Sequence, residues 1–176
     1  VGARYREVGR TGWWDGAIMH GGKAMSYLNL LDTEAAWRLV HSLGEEPTAV
    51  VVKHVNPCGA AVGGDIAEAY VAAHECDPIS AFGGIVAVNR PVTQAMAEAL
   101  TEVFTEVVVA PAYEAGALSH LQGRRNLRIL EAHTPTWPAH EVRSIDGGLL
   151  VQTIDTLALD DSGRIDRSGW TLATER

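Results

Sequence analysis

Lys53 and His54 stand side by side at the end of the apolar run Ala49-Val50-Val51-Val52, and Val55-Asn56-Pro57-Cys58-Gly59 follow at once. An ammonium ion can stabilise negative charge that develops during a reaction, and an imidazole can exchange a proton near neutral pH. Strand ends in layered α/β sheets open into crevices, where Pro57 and Gly59 are expected to form a rigid turn that aims the neighbouring side chains. Composition alone leaves a plainer alternative open. Lys53 could extend its stem over apolar surface while His54 caps a backbone group.

Asp77-Pro78-Ile79-Ser80-Ala81-Phe82-Gly83-Gly84 places a turn, a hydroxyl and two adjacent glycines before another apolar run. Paired glycines let backbone approach a ligand closely, although an ordinary helix-to-strand turn with Ser80 in solvent accounts for the same residues. Gly21-Gly22-Lys23 lacks the remainder of a phosphate loop and a preceding buried strand, so it is not read as a triphosphate site. Glu106 precedes Val107-Val108-Val109, where an exposed carboxylate would be ordinary. His20, His41, His74, His120, His133 and His140 show no metal spacing. His54 followed by Pro57-Cys58 is half of the zinc deaminase pattern, but the x-Glu after the histidine and the second cysteine are both absent. No metal site is expected.

The elements that must position these residues alternate between helical and extended patterns from about residue 32. A first helix capped by Asp32 or Thr33 is expected to carry Ala35, Ala36, Leu39, Val40 and Leu43 and to stop at Gly44. The segment from Ala49 to Asn56 reads as a central strand covered on both faces. Asp65 then caps a helix bearing Ile66, Ala67, Tyr70, Val71 and Ala73, and Asp77-Pro78 ends it. Gly83 to Val88, Val107 to Val109, Leu127 to Leu130 and Leu149 to Val151 read as strands, with a helix through Val92, Met96, Leu100 and Val103. Residues 1–31 and 134–147 read as irregular, since Gly, Pro and Trp interrupt any period. The expected organisation is an irregular opening segment over 1–31, an α/β core over 32–154 and a linker over 155–176.

With 176 residues, 47% of them hydrophobic, the chain can bury a core of its own. A net charge of −8 and no basic run longer than Arg124-Arg125 exclude an extended nucleic-acid surface. Two cysteines outside any CxxC point to a reducing, cytoplasmic setting, and no apolar stretch is long enough to span a membrane. Val1-Gly2-Ala3-Arg4 shows neither a signal peptide nor an initiator methionine, as expected of an excised piece.

Four blocks in order carry a specific resemblance: residues 22–29, GKAMSYLN; 52–59, VKHVNPCG; 77–84, DPISAFGG; and 147–152, GGLLVQ. Together they resemble the first half of the transformylase domain of the bacterial bifunctional formyltransferase/cyclohydrolase of purine biosynthesis. The resemblance implies a three-layer α/β/α sandwich like that of cytidine deaminases but without zinc. It implies transfer of the formyl group of the co-substrate 10-formyltetrahydrofolate to the 5-amino group of 5-aminoimidazole-4-carboxamide ribonucleotide. By the same resemblance Lys53 and His54 fall on the catalytic pair, with His54 deprotonating the amine and Lys53 stabilising the oxyanion. Leu28, Asn29, Lys53, Gly83 and Glu106 fall on nucleotide-binding positions, and Asn56, Ser80 and Phe82 are further candidates. A homodimer is implied for the intact enzyme, whose cyclohydrolase domain and second transformylase half lie outside this chain. An inactive nucleotide-binding or dimerisation fragment is the alternative.

Overall fold

Thr48–Lys53, here β2, follows Pro47 and is rich in β-branched residues, which pack well on a pleated surface. Its side chains alternate as a strand must: Ala49 and Val51 enter one apolar cluster, Val50 and Val52 the other. Both faces are therefore covered, as expected of it. The computed structural model describes residues 4–6 and 8–154. The proposed linker over 155–176 lies outside them.

The remaining elements, in chain order, are α1 (Trp13–Gly16), β1 (Ile18–Gly21), α2 (Tyr27–Ser42), then after β2 β3 (Asn56–Val62), α3 (Ile66–Glu75), α4 (Pro78–Ala81), β4 (Ile85–Val88), α5 (Gln94–Thr101), β5 (Val107–Ala110), α6 (Ala115–Gln122), β6 (Arg128–Glu131), β7 (His140–Ile145) and β8 (Gly148–Thr153). Six strands form one mixed sheet in the order β1-β6-β5-β4-β2-β3. β4, β5 and β6 run parallel, whereas β2 is antiparallel to both β4 and β3, and β1 is antiparallel to β6. Trp13 of α1 and Ala36, Trp37 and Val40 of α2 pack on one face, and Tyr70, Met96, Leu100 and Leu121 of α3, α5 and α6 pack on the other. The result is a sheet flanked by helices on both faces.

Several expectations are corrected. Helix α2 starts six residues before the expected position, with Ser26 as its cap: the Ser26 hydroxyl accepts from the Asn29 amide, and the Asn29 side chain accepts in return from Ser26 N–H. Asp32 and Thr33 are buried inside the helix. The strand after Ala49 ends at Lys53, and Pro57 and Gly59 belong to β3 instead of forming the turn. Pairing shifts between Val51↔Gly59 and Val52↔Pro57, so Cys58 is an extra residue on an edge strand, where a proline is tolerated. Residues 1–31 contain α1, β1 and the first turn of α2, and α6 was not anticipated. Within 134–147, β7 pairs with β8 as a separate hairpin; its apolar residues Val142 and Ile145 point to opposite faces, which hides the two-residue period.

Gly59 fixes how closely β3 meets α3, because a Cβ there would lie 1.9 Å from the Ala73 carbonyl oxygen. Backbone cannot yield as a flexible side chain would. Gly59→Ala is expected to destabilise the fold by about 2 kcal/mol or more, read as a lowered midpoint in chemical denaturation.

Candidate active site

The strand β2 reverses into β3 through only two residues, His54 and Val55, with Lys53 paired to Asn56 across the base of the turn. Both turn residues have positive φ, 54° and 66°, the pattern of the primed two-residue hairpin turn that matches strand twist. Glycine and asparagine usually occupy such positions. For L-residues the left-handed region costs roughly 1–2 kcal/mol each, and a β-branched valine is a poor occupant. What holds the turn is Asp32 on α2. Its Oδ2 accepts the His54 N–H at 3.2 Å and its Oδ1 the Val55 N–H at 2.9 Å. The Asn56 side-chain amide donates to the His54 carbonyl at 2.9 Å and closes the turn from the other side.

Lys53 Nζ donates to the carbonyl oxygen of Phe82 at 3.0 Å, which leaves two of its three N–H donors for other acceptors. Phe82 follows α4, a single turn that Asp77 caps by accepting the Ser80 amide at 3.0 Å. Next comes Gly83 at φ 75°, whose N–H donates to the Phe104 carbonyl at 2.7 Å. The glycine is required there, since that backbone disfavours any side chain. Glu106 N–H then donates to Gly84 and Arg128 N–H to Glu106, at 3.1 and 3.0 Å, so the approaches to β4, β5 and β6 are joined by backbone bonds.

The Glu106 carboxylate receives two contacts besides that ladder, and one of the donors is itself anchored to the loop before α2. Asn29 Nδ2 donates to its Oε2 at 2.6 Å, Arg128 Nη1 lies 3.4 Å from the same oxygen, and Arg128 Nε donates to the Ala24 carbonyl at 3.2 Å. Asn29 is 5% exposed while the Glu106 side chain is 38% exposed, so a buried amide aims a carboxylate that still reaches solvent. Leu28, half-exposed on the first turn of α2, and Phe82, tilted against Phe104 at 5.3 Å between ring centroids, present apolar surface at the same end of the sheet.

All these residues lie at the end of the sheet where β2 finishes and the parallel strands begin. Because β2 runs opposite to β4, its C-terminal end lies at the end of the sheet where β4, β5 and β6 begin. The structure ties Asn29 to Glu106, Lys53 to Phe82 and Asn56 to His54; no hydrogen bond joins the Lys53–His54 pair directly to Glu106 among the described residues. Ser80 serves the α4 cap. Beside this edge a cavity of about 410 Å³ is lined by Phe104, Thr105, Arg124, Arg125 and Asn126 among others, without Lys53 or His54. Asp32 and Arg128 were missed by sequence reasoning. A charged residue on the apolar face of a helical period was the available signal for Asp32; Arg128, at the start of a strand, gave none.

No three His, Cys, Asp or Glu side chains converge as a metal set among the described residues. Burial, reinforced by Asp77 and opposed by Lys53, pushes the Cys58 thiol upward, which disfavours the thiolate a metal would need.

The model of the AICARFT/IMPCHase bienzyme family matches residues 2–176. The chain belongs to that family. The bifunctional purine biosynthesis protein PurH of Cutibacterium acnes is 49% identical over 171 residues, which are 97% of this chain and 32% of the relative. PurH of Corynebacterium glutamicum is 45% identical over 167 residues, 94% of this chain and 31% of the relative. The chain thus spans about a third of the length of these curated family members.

Two outcomes follow from the site's supports. Asn29→Ala removes a cap partner and the donor to Glu106, and should cost about 1–2 kcal/mol in denaturation. The Asp77 carboxyl is held below its ordinary value by the Ser80 hydroxyl and then by the backbone N–H groups of Ser80 and Ile79. With a depressed folded value, the cap contributes fully above the ordinary 3.8 and is lost as pH falls through the lower folded value. Ser80 amide protection, corrected for intrinsic exchange, should therefore fall below about pH 4, and Asp77→Asn should abolish that fall.

Proposed function

We propose that this chain supplies part of the site at which a formyl group passes from 10-formyltetrahydrofolate to the 5-amino group of 5-aminoimidazole-4-carboxamide ribonucleotide, in the cytoplasm, within a homodimer of the full-length enzyme. The observation that carries the reading is the Lys53–His54 pair, fixed at a sheet edge that also bears Gly83 and Glu106. Membership of the bienzyme family supplies the reaction. The flanked mixed sheet supports a deaminase-like sandwich; that sandwich works without zinc in this reading, and residues 1–176 form the first transformylase half, with 155–176 as its connection to the second.

An amine conjugated with a carboxamide-bearing imidazole is a weak nucleophile, so attack on the formyl carbon needs its proton removed. His54 takes that proton as the C–N bond forms, and the Lys53 ammonium stabilises the oxyanion of the tetrahedral intermediate. Collapse expels N10 of tetrahydrofolate, and the His54 imidazolium returns the proton to it. The aimed carboxylate of Glu106 suits ribose hydroxyls, because it can accept two hydrogen bonds while Asn29 holds it. Leu28 and Gly83 complete the nucleotide's surroundings, with Asn56, Ser80 and Phe82 in support.

In the full-length protein, His54→Ala and Lys53→Ala should each lower kcat for formyl transfer by roughly a hundredfold or more. Nucleotide affinity should suffer less for His54 than for Lys53, since a base acts mainly in turnover. His54→Ala within a few fold of wild type would remove its role. Wild-type protein that binds the nucleotide without transferring formyl would favour a binding fragment instead.

A further inference from the structure

We propose that Asp32 is the positioning residue of the Lys53–His54 pair: from inside α2 its carboxylate binds the His54 and Val55 amides and holds a left-handed turn that His-Val would not keep unaided. The inference rests on the reading of that pair as the formyl-transfer group. Asp32 touches no reacting atom in this account and acts through the backbone alone.

Three observations converge on it. First, Asp32 is only 8% exposed, so its carboxylate has left solvent and must find donors within the protein. Both oxygens do so, each on one of two consecutive amides. Secondly, those amides belong to the two non-glycine residues with positive φ among the described residues. Two bonds from one rigid acceptor fix the direction of both peptide planes, and therefore the direction in which the His54 side chain leaves the chain. Thirdly, Val55 is 45% exposed, so burial of its side chain does not offset its unfavourable backbone. Without Asp32 the turn can relax toward ordinary negative φ, which splays the Lys53↔Asn56 pair at its base and swings His54 away while the pairing of β2 and β3 further from the turn persists. Misplacement on the scale of 1 Å is enough to cost about a hundredfold in rate.

The test uses the full-length enzyme. Asp32→Ala should lower kcat for formyl transfer by about a hundredfold with little change in the nucleotide KM. Asp32→Asn, which keeps the shape but turns an amide N–H toward one of the donors, should fall between wild type and Asp32→Ala and covers the case in which alanine fails to fold. The discriminating variant is Asp32→Ala combined with Val55→Gly. Glycine adopts positive φ without penalty, so the double variant should regain about tenfold in kcat over Asp32→Ala. A merely structural loss inside α2 would not respond to residue 55. Hydrogen exchange supplies a readout independent of turnover: His54 and Val55 amides should lose protection in Asp32→Ala while β2 amides keep theirs. Unchanged kcat in both single variants, absence of rescue by Val55→Gly, or retained protection at His54 and Val55 would each overturn the proposal. Should wild-type enzyme transfer no formyl group, the functional reading fails, and the exchange measurement alone decides whether Asp32 holds the turn.

Discussion

Asn29 and Asp32 sit three residues apart on α2, a spacing that places them on one face of the helix, and each binds a different part of the candidate site. Asn29 reaches Glu106 ahead of β5, and Asp32 reaches the turn after β2. One rigid helix therefore sets the separation of two segments that no direct hydrogen bond connects among the described residues. The apolar face of the same helix is buried through Ala36, Trp37 and Val40 against β2, β4 and β5, so the two polar groups are positioned by the core itself. A helix carrying only its cap at Ser26 could rotate; one with Trp37 and Val40 buried cannot do so without opening the sheet's covered face.

The direction of β2 completes this arrangement. In a wholly parallel sheet the end of one strand lies beside the ends of its neighbours, far from where they begin. Here β2 runs against β4, and its last residue lies beside the loop that leads into β4, at the end of the sheet where β5 and β6 also begin. That contact lets Lys53 reach the Phe82 carbonyl, and it places the Gly83–Gly84 and Glu106 backbones in one hydrogen-bonded row. Backbone at such approaches has unpaired donors and acceptors unless neighbours supply them. The row satisfies them, and it frees the Glu106 carboxylate and the remaining Lys53 donors for other partners.

How much of this could be read from the sequence depends on where the determining signal lies. Val50, Val51 and Val52, the Asp65 cap and the buried periods of α3 and α5 are local signals, and those elements occur close to where they were expected, although Val92 and Val103 lie outside α5 and Val71 of α3 is exposed. The start of α2 was displaced because Tyr27, Leu28 and Leu31 are exposed, which blurs the helical period, while Asp32 and Thr33 imitate a cap. Pro57 and Gly59 imitate a turn, but an edge strand with a bulge tolerates both, and the true reversal uses residues that local preference disfavours. Strand direction leaves no mark on composition. The position of the candidate edge at the start of the parallel strands therefore had to come from the pairing. The Lys53–His54 segment stood out as residues and Glu106 became a candidate only through the resemblance, but their supports were not legible, because Asp32 is 22 residues from His54 and Arg128 is 22 from Glu106 along the chain.

Val55 is the residue in which these constraints meet. Histidine tolerates positive φ better than most residues, so a proton-transfer group at position 54 is compatible with the turn; a valine at position 55 is not favoured on any local ground. A two-residue loop with the register Lys53↔Asn56 nevertheless requires both to be left-handed, because otherwise the flanking strands would splay. The cost cannot be recovered from burial of a half-exposed side chain. It is offset by strand pairing on one side and by the Asp32 carboxylate on the other, groups that the rest of the fold already holds in place. A turn maintained in this way keeps its side chains in one orientation, since any relaxation must break both amide bonds to Asp32 together.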